Sequence, residues 1–375
     1  MNNQTDPAGT ERFITAPMSA CLDLIRFAAA MTVLVFHSVQ ARLYTGAFPR
    51  PPMAQHYAVV VFFVLSGLVI MTSAQRRHGK LRNYALARAA RIVPAALIAI
   101  AFSTAAFLLA RAIGAPLLHY DQWGELSLRA IVSPMLFMSE SPIGSGPLWN
   151  PPFWSLCYEV WYYALFGAAV FLRGWHRAVW LVVFAVLAGP KVMLMLPVWL
   201  IGVALALAPF ARKCGWKAGL LWLAAGLALC IYQTTLVIPA ARTMAHFARD
   251  VGFRPGFSLF ALSDTVLGLG VAAVFIGLRP LVNRWPGIWL SLDPLARGVA
   301  GFSFTLYLFH WPLLSLIKTF HLTAGTSLPA FAVLLLGMTL TCYAISFVTE
   351  RQREHVRRWV KYSVLHIGEV RARRA

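Results

Sequence analysis

The chain has 375 residues, of which 59% are hydrophobic and only 12% charged, and its formal net charge is +20. A soluble domain carries about twice that charged fraction, so the composition excludes one and points to a polytopic membrane protein. The positive charge falls in short loops and at the C-terminal end rather than on one soluble face, which speaks against a nucleic-acid partner.

The five cysteines form no C-x-x-C pair, so neither a disulfide framework nor a zinc site is suggested, and no metal is expected. Apolar runs near 20 residues recur at about 19–39, 55–75, 92–112, 153–172, 177–190, 192–210, 217–238, 257–278, 298–319 and 328–350. They predict an all-α protein of about ten transmembrane helices, with membrane lipid around it. Residues 1–18 are polar and lack the charged-then-apolar pattern of a cleaved signal, so they read as an N-terminal segment ahead of a retained first helix.

The first span holds Asp23, Arg26 and His37. At 100° per helical residue, eleven steps return almost to the starting face, so Arg26 and His37 share a stripe. They lie about 16 Å apart along the axis at 1.5 Å per residue. Asp23 joins the stripe three residues before Arg26. Ionisable groups inside a membrane are costly and mark function by default. In the second span, Ser66-Gly67 reads either as a close-packing point between helices or as part of a site.

The loop that follows is the most basic, with Arg76, Arg77, Lys80, Arg82, Arg88 and Arg91. The Arg88-x-x-Arg91 pair is expected to open the third span, with Pro94 in its first turn. Guanidinium forks at i, i+3 suit phosphate, and with Arg26 they would make a cationic cluster. The alternative is that they are ordinary loop charges setting topology. The loop 113–152 is the longest and holds Asp121, Glu125 and Glu140. Its apolar stretch Ala130–Met138 is too short to span.

The fourth span carries Glu159 about two turns below its start, a depth comparable to that of His37 in the first. A carboxylate beside an imidazole would orient it and stabilise the imidazolium, which suits a general base acting on a hydroxyl. A purely structural His37–Glu159 pair is the alternative. Trp149, Trp154 and Trp161 fit an interfacial belt, or a platform for a sugar ring. Gly189-Pro190 ends the short fifth span. Asp264, in the eighth, has no evident partner. The ninth reads Ser303-Phe304-Thr305-Leu306-Tyr307-Leu308-Phe309-His310-Trp311-Pro312. There Pro312 frees a backbone carbonyl one turn earlier, and His310 is either catalytic or structural.

Ten spans place both termini on one side. Loops on that side, together with the tail 351–375, carry most of the Lys and Arg, so the positive-inside rule puts both termini in the cytoplasm. The basic tail is expected to lie on the anionic inner leaflet.

Five segments, in this order, carry a family resemblance: LDLIRFAAAMTVLVFH, FFVLSGLVI, RAARIVPA, FWSLCYEVWYY and FSFTLYLFHWPLL. Together they resemble the acyltransferase-3 family of integral membrane acyltransferases, over about residues 20–350. The resemblance implies a ten-helix domain, here 19–350, in the bacterial inner membrane. It implies transfer of an acyl group, usually acetyl, from cytosolic acyl-CoA to a hydroxyl of a carbohydrate, a lipid-linked sugar or another cell-envelope acceptor such as O-antigen or exopolysaccharide. The family's arginine–histidine pattern lands on Arg26 and His37, its Arg-x-x-Arg on Arg88 and Arg91, its glutamate on Glu159, and its Tyr-Leu-x-His-x-Pro on Tyr307 to Pro312. Phe304 stands where a tyrosine is common. No esterase-like domain of the kind fused to some members is expected.

The leading expectation is therefore an O-acetyltransferase. Arg26, Arg88 and Arg91 would hold acetyl-CoA, and His37 with Glu159 would do the chemistry. Asp23, Ser66, Gly67, Trp154, Tyr307 and His310 would support them. The rival is a transporter of a small polar solute with Asp23, Glu159, Asp264 and His310 as a proton path. No internal repeat of the kind common in transporters is visible.

Overall fold

A computed structural model describes residues 12–48, 53–76, 81–115 and 126–352. The expectations for Arg50, Arg77, Lys80, Asp121 and Glu125, for most of the segment 1–18, and for nearly all of the tail 351–375 lie outside the described residues.

The chain is an all-α polytopic membrane protein. In order, its helices are α1 (Ala16–Gln40), α2 (Ala54–Arg76), α3 (Leu81–Ala112), α4 (Leu128–Met135), α5 (Trp154–Phe171), α6 (Gly174–Ala188), α7 (Pro190–Leu207), α8 (Pro209–Lys213), α9 (Trp216–Val251), α10 (Ala261–Arg284), α11 (Pro286–Ala300), α12 (Ser303–Thr319) and α13 (Leu328–Ile345). Among the described residues, eight helical stretches are long and apolar enough to cross a membrane. The other two apolar runs form α5, whose hydropathy is lowered by Trp, Tyr and Glu, and α6, which has 15 residues.

Two helix boundaries differ most from expectation. The third helix begins at Leu81 rather than near 92, so Arg88 and Arg91 are helical and Pro94 lies well inside the helix instead of in its first turn. The sequence Leu81–Arg91 is polar enough to read as a loop, but Ala, Leu and Arg are among the best helix formers. The seventh expected span, 217–238, continues to Val251, where Gly252 takes a left-handed φ of +75°. At 36 residues, α9 is about 54 Å long and exceeds a bilayer core of about 30 Å. As expected, α6 stops at Gly189, which has φ +82°, and Pro190 starts α7.

Thr15 caps α1 by accepting from Met18 N at 3.3 Å, and donates to Asn283 at 2.7 Å. Buried Arg279 of α10 holds the same segment through the carbonyls of Phe13 (3.0 Å) and Arg12 (3.3 Å). Helix α10 packs along α9, α2 along α7, α1 against α2, α11 and α12, and α3 against α12. These helices share one apolar core in which α12 is among the most buried elements.

The α2–α7 crossing is close because of two glycines. A Cβ on Gly67 would sit 2.1 Å from the Trp199 carbonyl oxygen, and one on Gly202 would sit 2.0 Å from that of Val64. Backbones approach this way only where side chains are absent. Gly67 is thus a packing residue, and it brings the neighbouring Ser66 within 3.1 Å of the Trp199 indole N–H.

The long loop contains α4, capped by Ser127 and packed on α3. Ala130 of α4 lies with Trp149 in a small apolar cluster against the end of α3. Lys191 ties the loop to α7 through Glu140, 3.1 Å away.

Candidate active site

Two chambers share the middle of the bundle. The first is lined by Arg26 of α1, Ser66 of α2, Arg88 and Arg91 of α3, Glu159 and Tyr163 of α5, and Phe304 and Tyr307 of α12. The three arginines expected to cluster do so. Arg88 and Arg91 reach it because α3 is already helical at Arg88, which puts both on one face at i, i+3.

The cluster is not a bare cationic patch. Arg26 donates to Asp23 at 3.0 Å. Glu159 and Glu350 lie within electrostatic range of Arg91, and Glu350 also of Arg26. Three guanidinium groups therefore face three carboxylates. Arg88 lies over the Tyr163 ring, 5.9 Å from its centroid. Its buried Nε has no hydrogen-bond partner among the described residues.

Glu159 does not meet His37. Glu159 and Tyr163 are one turn apart on α5, so they share a face, and the Tyr163 hydroxyl donates to the carboxylate. Ser66 donates to the same oxygen at 2.7 Å. The carboxylate is thus held between α2 and α5 in the arginine chamber. The expected His37–Glu159 pair is replaced by two separate networks, because equal depth in the membrane does not set the direction in which a helix face points.

The second chamber is lined by His37, Gln40, His56, Trp154, Tyr307 and Trp311, among others, and has a volume of about 280 Å³. His37 and His310 stack at 5.1 Å with their planes 5° apart, and His37 Nδ1 lies 2.8 Å from His310 Nε2. His310 Nδ1 lies 2.6 Å from the Tyr307 carbonyl. That carbonyl only accepts, so His310 Nδ1 carries a proton and donates it. His310 Nε2 is then an acceptor, and His37 Nδ1–H donates to it. These tautomers are assigned from the hydrogen-bond network. The outcome is a free lone pair on His37 Nε2, the form a general base needs.

Tyr307 and Val59 line both chambers. The Tyr307 hydroxyl donates to the Pro152 carbonyl at 2.9 Å and contacts Ser155 at 2.6 Å. The α12 backbone behind it carries the expected defect. Pro312 cannot donate to Leu308, and Asn150 fills the gap with an amide N–H 3.0 Å from the Leu308 carbonyl.

Two tryptophans are not in an interfacial belt. Trp149 is fully buried, and Trp154 stacks on Phe257 at 4.7 Å in the wall of the second chamber.

Several site residues escaped sequence reasoning. Asp264 does have a partner, His56, at 2.7 Å. Glu350 and Tyr163 complete the arginine chamber, and Asn150 supports α12. The one available signal was His56 itself, an ionisable residue at the start of an apolar run. Its match to Asp264 spans 208 positions, which no local spacing reveals.

No curated protein and no solved structure matches the chain significantly. The family model described as an acyltransferase domain matches residues 19–347, and the chain accordingly belongs to the acyltransferase-3 family of membrane acyltransferases.

Proposed function

We propose that this membrane acyltransferase moves an acetyl group from cytosolic acetyl-CoA to a hydroxyl of a carbohydrate or lipid-linked sugar at the outer side of a bacterial inner membrane. The observation that carries the reading is the junction of the two chambers at Tyr307 and Val59. One chamber offers guanidinium groups and the other an oriented imidazole, and in this reading the thioester arm runs from the first to the second past their shared wall. The excess of Lys and Arg in alternate loops supports the reading that the arginine chamber faces the cytoplasm, with both termini.

In this scheme Arg88, whose Nε is unpaired, takes the donor's phosphate directly. Arg26 and Arg91 are held in position by Asp23, Glu159 and Glu350 and complete the charge around it. His37 Nε2 takes the proton of the acceptor hydroxyl as its oxygen attacks the thioester carbonyl. The new C–O bond forms and the C–S bond breaks. The departing thiolate takes the proton from the imidazolium, which returns His37 to its starting state. His310 keeps the lone pair of His37 on the nitrogen that faces the acceptor. Asp23 and Glu159 share the arginine cluster, whereas Asp264 is bonded to His56 and His310 to His37, so the four do not form one hydrogen-bonded proton path.

The test is to incubate membranes with acetyl-CoA labelled in the acetyl group. Wild-type protein should place label in envelope glycan, and His37→Ala should not. A purified, monodisperse His37→Ala protein with wild-type transfer would overturn the base assignment. Uptake of a polar solute into proteoliposomes without acetyl-CoA would favour transport instead.

A further inference from the structure

His56 stands near the start of α2 and Asp264 in the first turn of α10. Both are buried, at 4% and 0% exposure, and His56 Nε2 lies 2.7 Å from Asp264 Oδ2. The imidazole is held by aromatic rings: Trp154 and Phe257 each stack at 6.1 Å, and Phe260 meets it edge-on at 5.3 Å. The carboxylate accepts, so the neutral imidazole carries its proton on Nε2 and keeps a lone pair on Nδ1. That Nδ1 is buried and has no partner among the described residues, although His56 lines the chamber that holds His37. Leaving Nδ1 unpaired in a protein interior, together with Asp264 Oδ1 of the same pair, is costly for a contact that only ties α2 to α10. The same wall offers Trp154, Phe257 and Trp311 as flat apolar faces and Gln40 and Gln55 as amides. Flat rings beside fixed polar groups are what a polyhydroxylated ring requires of a pocket.

We infer that His56 is a specificity-determining residue for the acceptor: its Nδ1 accepts a hydrogen bond from a second hydroxyl of the molecule whose first hydroxyl is presented to His37, so the chamber selects polyols over isolated alcohols. The inference rests on the reading of the second chamber as the acceptor site. Asp264 fixes the tautomer that makes Nδ1 an acceptor, and the aromatic clamp fixes the ring. A site built around a buried acceptor discriminates strongly against a ligand that lacks the matching hydroxyl.

The experiment uses the full chain in lipid nanodiscs with acetyl-CoA and two probe acceptors: methyl β-D-glucopyranoside, and cyclohexylmethanol, a ring of the same size with a single hydroxyl. Three rates are followed: transfer to each probe, and hydrolysis of acetyl-CoA without an acceptor. Wild type should have the lower KM for the glucoside. His56→Phe keeps a flat ring but no acceptor, and Asp264→Asn can donate to Nε2 and so move the proton to Nδ1. Both should raise the glucoside KM at least tenfold while leaving hydrolysis and cyclohexylmethanol transfer within about twofold of wild type. His56→Asn, whose amide oxygen can stand in for Nδ1, should recover part of the loss, and it decides the matter if the Phe variant does not fold. An unchanged glucoside KM in these variants, an equal loss of all three rates in monodisperse His56→Asn and Asp264→Asn, or equal KM values for the two probes in wild type would each overturn the inference. A wild-type protein that turns over no acetyl-CoA would overturn the donor reading, and this one with it.

Discussion

His37 Nδ1 lies 2.8 Å from His310 Nε2, across helices 273 positions apart in sequence. The second histidine is pinned at its other nitrogen by the Tyr307 carbonyl, so it can only accept from the first. The two rings thus set each other's protonation, and the nitrogen of His37 left over is the one with a lone pair.

Removing that orientation should slow chemistry without weakening donor binding. His310→Phe is expected to lower kcat by at least about 100-fold, in line with the loss of positioned general-base catalysis. The KM for acetyl-CoA should stay near wild type. His310→Gln retains a side-chain acceptor and should recover part of the rate. Steady-state kinetics on the three proteins checks this, and an equal fall in the Gln and Phe variants would argue that the ring only fills space.

Arg88 should act on the donor alone. A hydrogen bond to a charged group contributes about 1.5–3 kcal/mol, so Arg88→Ala should raise the KM for acetyl-CoA by roughly 10- to 100-fold with kcat little changed. Arg88→Lys keeps the charge without the fork and should fall between them. Isothermal titration with CoA provides an independent measure.

The α2–α7 crossing should not tolerate a methyl group. Gly67→Ala places a Cβ 2.1 Å from the Trp199 carbonyl oxygen, and backbone cannot yield as a side-chain tip can. The expected cost is about 1–3 kcal/mol. It should be visible as a lower Tm in detergent, with activity lost as Ser66 shifts away from Glu159.

Asn150 should matter for stability more than for chemistry. Asn150→Ala leaves the Leu308 carbonyl without its donor inside the core, at a cost of about 1–3 kcal/mol. Thermal unfolding of the purified variant measures it. Pro312→Ala restores a backbone donor to the same carbonyl, so the double variant should lie closer to wild type than the single one.

The helices were legible because a bilayer demands long apolar runs, and that demand is local. The start of α3 was not, because Arg82, Arg88 and Arg91 look like loop residues until Arg88 and Arg91 are seen turned into a chamber. The free carbonyl above Pro312 was legible from proline chemistry alone, but the residue that would satisfy it was not. The three arginines were legible as a group, whereas their three carboxylates were not, since Glu350 stands at the very end of the last apolar run, far in sequence from the arginines it faces.

By itself the sequence determined that the chain is helical and crosses a membrane many times. It also determined that Arg26 and His37 share one helix stripe and that the ordered motifs resemble a single family. These follow from hydropathy, helical period and order, which are properties of neighbours in the chain. Only the tertiary structure decided that Glu159 faces the arginines, that His310 orients His37, and that His56 is bound to Asp264. A hydrogen bond needs two atoms within about 3 Å and correctly aimed. The rotation of one helix against another sets that aim, and close packing at sites such as Gly67 and Gly202 sets the rotation.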